Sequence, residues 1–541
     1  MVGNYTLETS NMFLFSGSQF MAVFLRVIFV TTLCLATTHV GAQHDPQRNA
    51  TRHIVKGDYA KAEKELAKAN AAESETKFVQ MMLALEKDDL EQAEWLMREG
   101  VAAGLPVERL VAGPRSILKK LHAGVAYQEL MKQHQPALLH GPMLGSVTDR
   151  AATVWLRTAK AADVSVRYRE VGKKHLPGQT KVYRTRAAED FTAAVRLNGL
   201  APKTRYDYWI VVDGNESPVE NAMLTTFPEE NRAASFSVCF GGGAGFVPQW
   251  ERMWDVIGGH QPHAMLMLGD NVYIDDPEHS ETSHYCYYRR QSRPEWRRFT
   301  ARTAMYSIYD DHDFGTNDCV PGAEIESPVW KRKVWRIFQQ NWVNPAYGGG
   351  EAQPGCWYDF MIGDVHFIML DGRYYRSRKP QPSMLGDVQK RWLLETLKRS
   401  SGTFKVIASP VPFTANIKPG SKDPWDGYAD EREEIFQFLE KEKVDGVLLI
   451  CADRHRTDLR VTKRSQGYDL FEFESSRLTN RHTHSVVKTP GLIWGYNNKC
   501  SFARMEFNTQ LAVPEIRMEA RSIDDELMHS YTLTLDQLKH R

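Results

Sequence analysis

Short apolar runs that stop abruptly at polar residues set the pattern of the second half of the chain. AMLML, from Ala264, runs into Gly269-Asp270, with Tyr273 three residues on. VHFIML ends in Asp371-Gly372-Arg373, DGVLLIC ends in Ala452-Asp453-Arg454-His455, and FKVIAS stops before Pro410. SFSVC ends at Cys239, just ahead of the glycine-rich stretch Gly241 to Gly245. Runs of this length bounded by glycine or proline predict buried strands, and in open α/β sheets ligands gather beyond the carboxyl ends of strands. The simplest arrangement is one sheet edge lined by Cys239, Asp270, Tyr273, Asp371, Asp453 and His455. Amphipathic stretches, GDVQKRWLLETLKRS and EREEIFQFLEKEK, precede two of the runs. Helix and strand therefore alternate, which predicts an α/β layered fold.

Upstream the period changes. Between residues 139 and 229, ATVWLR, VSVRYRE, FTAAVRL and YDYWIVV alternate with period two and are rich in β-branched and aromatic residues, as strands are. The segment LAPKTRY, with Tyr206 at its end, is similar to the tyrosine corner of fibronectin type III sandwiches, in which the hydroxyl bonds to nearby backbone. Residues 43–138 read as helices. GDYAKAEKELAKA is echoed by KDDLEQAEWLMREG, with Ala62 and Ala93 in matching places; the offset of roughly 31 residues resembles a tetratricopeptide pair. Two such units are too few to stand alone, so a small cap packed on its neighbour is expected, with partner binding as the alternative. The four parts are then residues 1–42, 43–138, 139–229 and 230–541.

The first part is a targeting segment. MAVFLRVIFVTTLCLATTHVGAQ is moderately apolar, carries Arg26 and ends in small residues, which predicts a secretory signal cleaved after Ala42 and a secreted or periplasmic protein. Charge changes little in this picture: 68 basic against 67 acidic residues mark no nucleic-acid binder. Six of the seven cysteines follow the signal. In an exported chain they predict three disulfides, unless Cys239 is a metal thiolate, which would leave at least one other thiol free.

Asp270, Tyr273 and Cys239 are the residues with chemistry to offer. Carboxylate and phenolate oxygens are hard donors for a highly charged cation, and a thiolate suits iron or zinc. A bridging Asp could hold two metals a few Å apart, the arrangement that clamps attacking and leaving oxygens in phosphoester hydrolysis.

GDNVY, DDHDFGTND, LDGRYYR, the Leu385-Gly386-x-x-Gln389-x-x-Trp392-Leu393 helix and ADRH occur in this order in residues 235–459. Together with the preceding sandwich they resemble the PhoD-like alkaline phosphatase and phosphodiesterase family, a branch of the calcineurin-like metallophosphatases. The resemblance implies an α/β metallophosphatase sandwich of mixed sheets flanked by helices. It implies ferric iron on Cys239, Asp270 and Tyr273, with Asp270 bridging to a calcium site. Asp453 and His455 correspond to the closing ligands and Asn317 to an Asn ligand. Asp310, Asp311 and His312 would ligate or position ligands and water, and Arg373 would hold phosphate oxygens. A metal-bound hydroxide would then attack phosphorus in line on a small or polymeric phosphoester. Rival readings are a phospholipid or cell-wall diester hydrolase on the same fold, and a catalytically idle surface-binding protein.

Three further expectations follow from local sequence. The insert ETSHYCYYRRQSRPEW would overhang the site and set substrate preference. Arg376 and Arg378 would lie in a solvated basic stretch. His482 and His484, though spaced like metal ligands, would belong to a solvated loop.

Overall fold

In the computed structural model, which describes residues 45–540 except 175, 218, 220 and 221, the apolar runs become strands with almost no polar face. Their burial on both sides explains why they read as continuous rather than alternating. They fall into two sheets, not one. Ser235–Gly241, Ala264–Leu268 and Ala304–Ile308 are parallel neighbours in a nine-stranded sheet. Val365–Met369, Phe404–Ala408 and Val447–Cys451 are parallel neighbours in a seven-stranded sheet. The single edge expected from the sequence is therefore corrected: Asp270 and Tyr273 follow a strand of the first sheet, whereas Asp371, Asp453 and His455 follow strands of the second. Aromatic contacts join the layers, with Phe240 edge-on to Phe473 at 5.4 Å and Phe367 edge-on to Phe507 at 5.7 Å.

The upstream β region is built into this architecture. Strand Leu138–Gly145 pairs in parallel with Ala304–Ile308, matching Leu144 to Ala304, and carries Ala151–Thr158 and Thr192–Asn198 onto the end of the nine-stranded sheet. Asp163–Glu170 and Arg205–Val212 form the centre of a separate six-stranded sheet. The Tyr206 hydroxyl accepts the backbone N–H of Ala201 at 2.8 Å.

Among the described residues, seven helices, from Pro46–Val55 to Val125–His134, precede these strands. Ala62 and Ala93, matched in the sequence echo, are both fully buried. The tyrosine- and arginine-rich insert does not overhang the site. It forms helix Ser280–Gln291, in which Tyr285, Tyr287, Tyr288, Arg289 and Arg290 are all buried, and it packs against helix Pro46–Val55. Its arginines tolerate burial because each has an anion: Arg289 pairs with Asp45 and Arg290 with Glu251 at 3.0 Å. The insert is thus the joint that seats the helical region on the rest of the molecule.

The six cysteines after residue 42 are all unpaired, which overturns the disulfide expectation. Five are buried and behave as small hydrophobes. The signal segment, residues 1–42, lies outside the described residues. No helix among the described residues is long and apolar enough to cross a membrane.

Candidate metal centre

The loop after strand Ala264–Leu268 turns by adopting backbone conformations that most residues avoid. Gly269 has φ +98°, and a Cβ there would lie 2.5 Å from that of Asp310, so only glycine fits. Asp270 and Tyr273 follow at φ +52° and +51°, and in the second sheet Asp453 and His455 lie at +72° and +48°. Left-handed backbone costs about 1–2 kcal/mol for each such residue. Its concentration on four residues picked out for their chemistry marks a functional site. The strained loop is held by Asp313, whose carboxylate accepts the backbone N–H groups of Asn271 and Val272 at 2.8 and 3.0 Å.

Asp270, Asp311 and His312 converge, with one potential ligand atom of each within 4.8 Å of the others. Burial pushes the Asp270 carboxyl well above the usual carboxylate range, His312 opposes that, and Asp311, Asp310 and Asp313 push it further up. His312 runs the other way. Burial would lower it, but Asp311, Asp270 and a hydrogen bond from its Nδ1 to Asp275 hold it well above the ordinary histidine value. Asp275 in turn accepts from Arg48 at 2.7 Å, and Arg48 also reaches the carbonyl of Tyr273 at 3.3 Å. The first turn of helix Pro46–Val55 therefore lies in the wall of the site.

Arg373 is placed differently from the phosphate clamp that the resemblance implied. It is fully buried, and its guanidinium is surrounded by carboxylates: Nε donates to Asp310, Nη1 to Asp423 at 2.8 Å, and Nη2 lies 3.6 Å from Asp311. Arg376, expected in a solvated stretch, is also fully buried and pairs with Asp423 at 2.5 Å. Asp371 is an organiser rather than a ligand, because it accepts the N–H groups of Cys356, Arg373 and Tyr374 and the Tyr309 hydroxyl.

Two of the expected ligands stand apart. Cys239 alternates with Phe240 along its strand, and Phe240 points into the inter-sheet layer. Cys239 therefore faces the opposite side, registered with Met265 and Arg504, and burial pushes its thiol up to about 12. It does not join the Asp270 cluster, and the backbone against Asp270 and His455 is instead Gly242–Ala244. Gly243 and Ala244 donate to the carbonyls of Gly269 and Asp270 at 3.3 and 2.8 Å. Asn317 is exposed, on the loop after the short helix Asp311–Phe314; Asp311, six residues earlier, occupies the inward position.

On the second sheet, His455 Nε2 lies 2.8 Å from the Tyr273 hydroxyl and 3.8 Å from Asp270. Asp453 is buried beside it, and Arg454 Nη1 reaches the Asp453 carboxylate at 3.3 Å. His482 and His484, expected to be solvated, instead meet His455, with one potential ligand atom of each ring within 4.8 Å of the others. Their alternate spacing was the one sequence signal that pointed here.

The donor set fits cations. Asp270 Oδ1, Asp310 Oδ2, Asp311 Oδ1 and His455 Nδ1 are buried with no hydrogen-bond partner among the described residues. Unsatisfied carboxylate oxygens packed this closely are costly unless a cation neutralises them. Tyr273 leads to the same conclusion: burial, then Asp270, push its phenol well above its ordinary value, which only a strongly acidic metal would reverse.

Comparison with known proteins agrees with this architecture. Residues 235–508 match the model of the PhoD-like phosphatases, and residues 135–230 match a domain of unknown function, DUF7800. Alkaline phosphatase D of Bacillus subtilis (strain 168) is 25% identical over 177 residues, which cover 27% of this chain and 30% of that protein. Among solved structures, that of PhoD superposes with TM-score 0.63 at 15% identity, covering 74% of this chain and 90% of the other. A purple acid phosphatase, PPD1 from yellow lupin seeds, superposes with TM-score 0.57 at 12% identity, covering 73% and 75%. The fold is shared with both structures, and the Asp270, Asp311, Arg373 and His455 loops all fall inside the matched segment of a chain that belongs to the PhoD-like phosphatase family.

Proposed function

We propose that the chain is an exported, metal-dependent phosphoric ester hydrolase acting on phosphomonoesters or phosphodiesters. The observation that carries this reading is the set of unpartnered carboxylate oxygens on Asp270, Asp310 and Asp311, facing a buried imidazole and phenol across two sheets. Export rests on the signal-like residues before Ala42 alone.

Asp270, Asp311 and Asp453 would hold cations on the acidic side, and Tyr273 and His455 on the other; iron(III) suits the phenol and calcium the carboxylates. Bound cations supply an acidified water and neutralise charge on the phosphoryl group. The protein's own residues do the rest. His312, protonated and aligned at Nδ1 by Asp275, is the proton donor to the leaving oxygen. Arg454 is the better placed phosphate anchor, because its Nε has no partner while Arg373 is engaged on every side. A planar guanidinium next to the metal ligands suits the charge and shape of a phosphate ester.

The test is to strip the full chain with a chelator, assay a monoester and a diester, then restore metal. Turnover should vanish on stripping and return on reconstitution. Full activity in metal-free protein would remove the metal dependence from this reading, and no turnover on any phosphate ester after reconstitution would remove the reading itself and favour the idle binding protein.

The link from the helical region gives a second expectation. Arg48→Ala should lower kcat about tenfold with little change in KM, the scale expected for a group that orients another, and Arg48→Lys should recover part of the loss. Steady-state kinetics check this; an unchanged kcat would show that Asp275 orients His312 without help.

A further inference from the structure

His482 and His484 take no part in the chemistry derived above, yet they are held as firmly as residues that do. Their Nε2 atoms lie 3.2 Å apart. The loop that carries them, between strands Leu470–Ser475 and Leu492–Tyr496, is anchored from below by three arginines. Arg456 donates to the carbonyl of Ser485 at 3.2 Å, Arg460 to that of Val487 at 2.9 Å, and Arg477 to that of Asn480 at 3.1 Å. Asn480 accepts the N–H of His482 at 2.9 Å, Thr483 donates to the carbonyl of His455 at 3.1 Å, and Asn497 donates to that of His484 at 3.0 Å. The backbone on both sides of each imidazole is therefore fixed, which is part of the preorganisation a ligand site needs.

The geometry and the donors agree. A tetrahedral ion with metal–nitrogen bonds of 2.0–2.1 Å places neighbouring nitrogens about 3.3 Å apart, close to the separation of His482 and His484. Nδ1 of His455 is buried and unpartnered among the described residues. The Tyr273 hydroxyl and the Asp270 carboxylate lie at the other nitrogen of that ring, 2.8 and 3.8 Å from Nε2, so they belong to the carboxylate position and leave Nδ1 free for a second ion. The facing backbone is Gly243, where a Cβ would already lie 3.3 Å from the His455 ring, so the loop supplies imidazoles where the strand supplies no side chain.

We propose that His455, His482 and His484 bind a first-row transition cation such as Zn2+, at a position chemically distinct from the carboxylate position of Asp270 and Asp311. Imidazole nitrogen selects such ions over calcium, which takes oxygen. The inference rests on the phosphoesterase reading only for what the ion would do, since binding is measured without turnover.

The test uses the chelator-stripped full chain titrated with Co2+ and followed by its visible absorption, with zinc content measured after dialysis. The wild type should show a nitrogen-ligated cobalt band and take up one more equivalent of Zn2+ per chain than His482→Ala/His484→Ala, which should lose the band. Both rings lie on a half-exposed loop, so the fold should survive; thermal melting verifies this, and His484→Gln alone should weaken Co2+ binding at least tenfold. Equal metal uptake in wild type and variants overturns the proposal, as does an absent cobalt band in wild type with inorganic phosphate bound instead. Failure of the phosphoesterase reading would look different: an intact cobalt band and no turnover.

Discussion

Asp270→Asn is expected to lower kcat by about 10³-fold, the upper range for loss of one electrostatic stabiliser, while leaving the metal-free protein as stable as the wild type or more so. The two effects have one origin. Asp270 is buried beside Asp311, Asp310 and Asp313, so without a cation its charge is a liability, which is why burial and these neighbours raise it so far. Amide replacement removes the repulsion and keeps the shape. With cations bound, the same change removes the one carboxylate placed between the acidic cluster and His455, 3.8 Å away. Turnover on a monoester and a diester, set beside melting of stripped protein, separates the terms. Near-normal turnover would mean that the site lies elsewhere; a large loss of stability would mean that Asp270 is a packing residue.

Which parts of this were legible in the sequence follows from what sequence pattern encodes. Strand ends were readable because a buried strand is apolar until it stops, so Asp270, Asp371 and Asp453 stood out. The partition of strands between two sheets was not, because pairing partners are set by contacts distant in sequence. Cys239 shows a finer limit. One residue of register decides which face a strand side chain takes, and the cysteine lies on the face registered with Arg504 while the glycines after it approach Asp270. The aromatic insert misled for the opposite reason: five tyrosines and arginines in twelve residues look solvent-facing, yet carboxylates from Asp45 and Glu251 make their burial tolerable. His482 and His484 were visible as a spacing only, since the arginines that turn their loop inward come from residues 456, 460 and 477.

Arg373→Ala is expected to destabilise the protein by about 3–5 kcal/mol, the scale for removing one partner of a buried charge cluster, and to lower kcat far more than it raises KM. A solvent-facing phosphate clamp would behave in the reverse way, raising KM and leaving melting unchanged. The difference comes from what Arg373 touches. Burial would raise the Asp423 carboxyl, but Arg373, Arg376 and Lys418 hold it well below its usual range, and Asp311 is kept low against burial by Arg373 and His312. Without the guanidinium, Asp310, Asp311 and Asp423 are left as acids facing one another with no solvent to separate them, and the loop that presents Asp311 and His312 loses its tether to the second sheet. Arg373→Lys retains the charge but not the fork that spans Asp310 and Asp423, so it should recover stability in part and turnover less. Melting and steady-state kinetics on the three proteins decide the role, and a raised KM with unchanged melting would return Arg373 to the substrate.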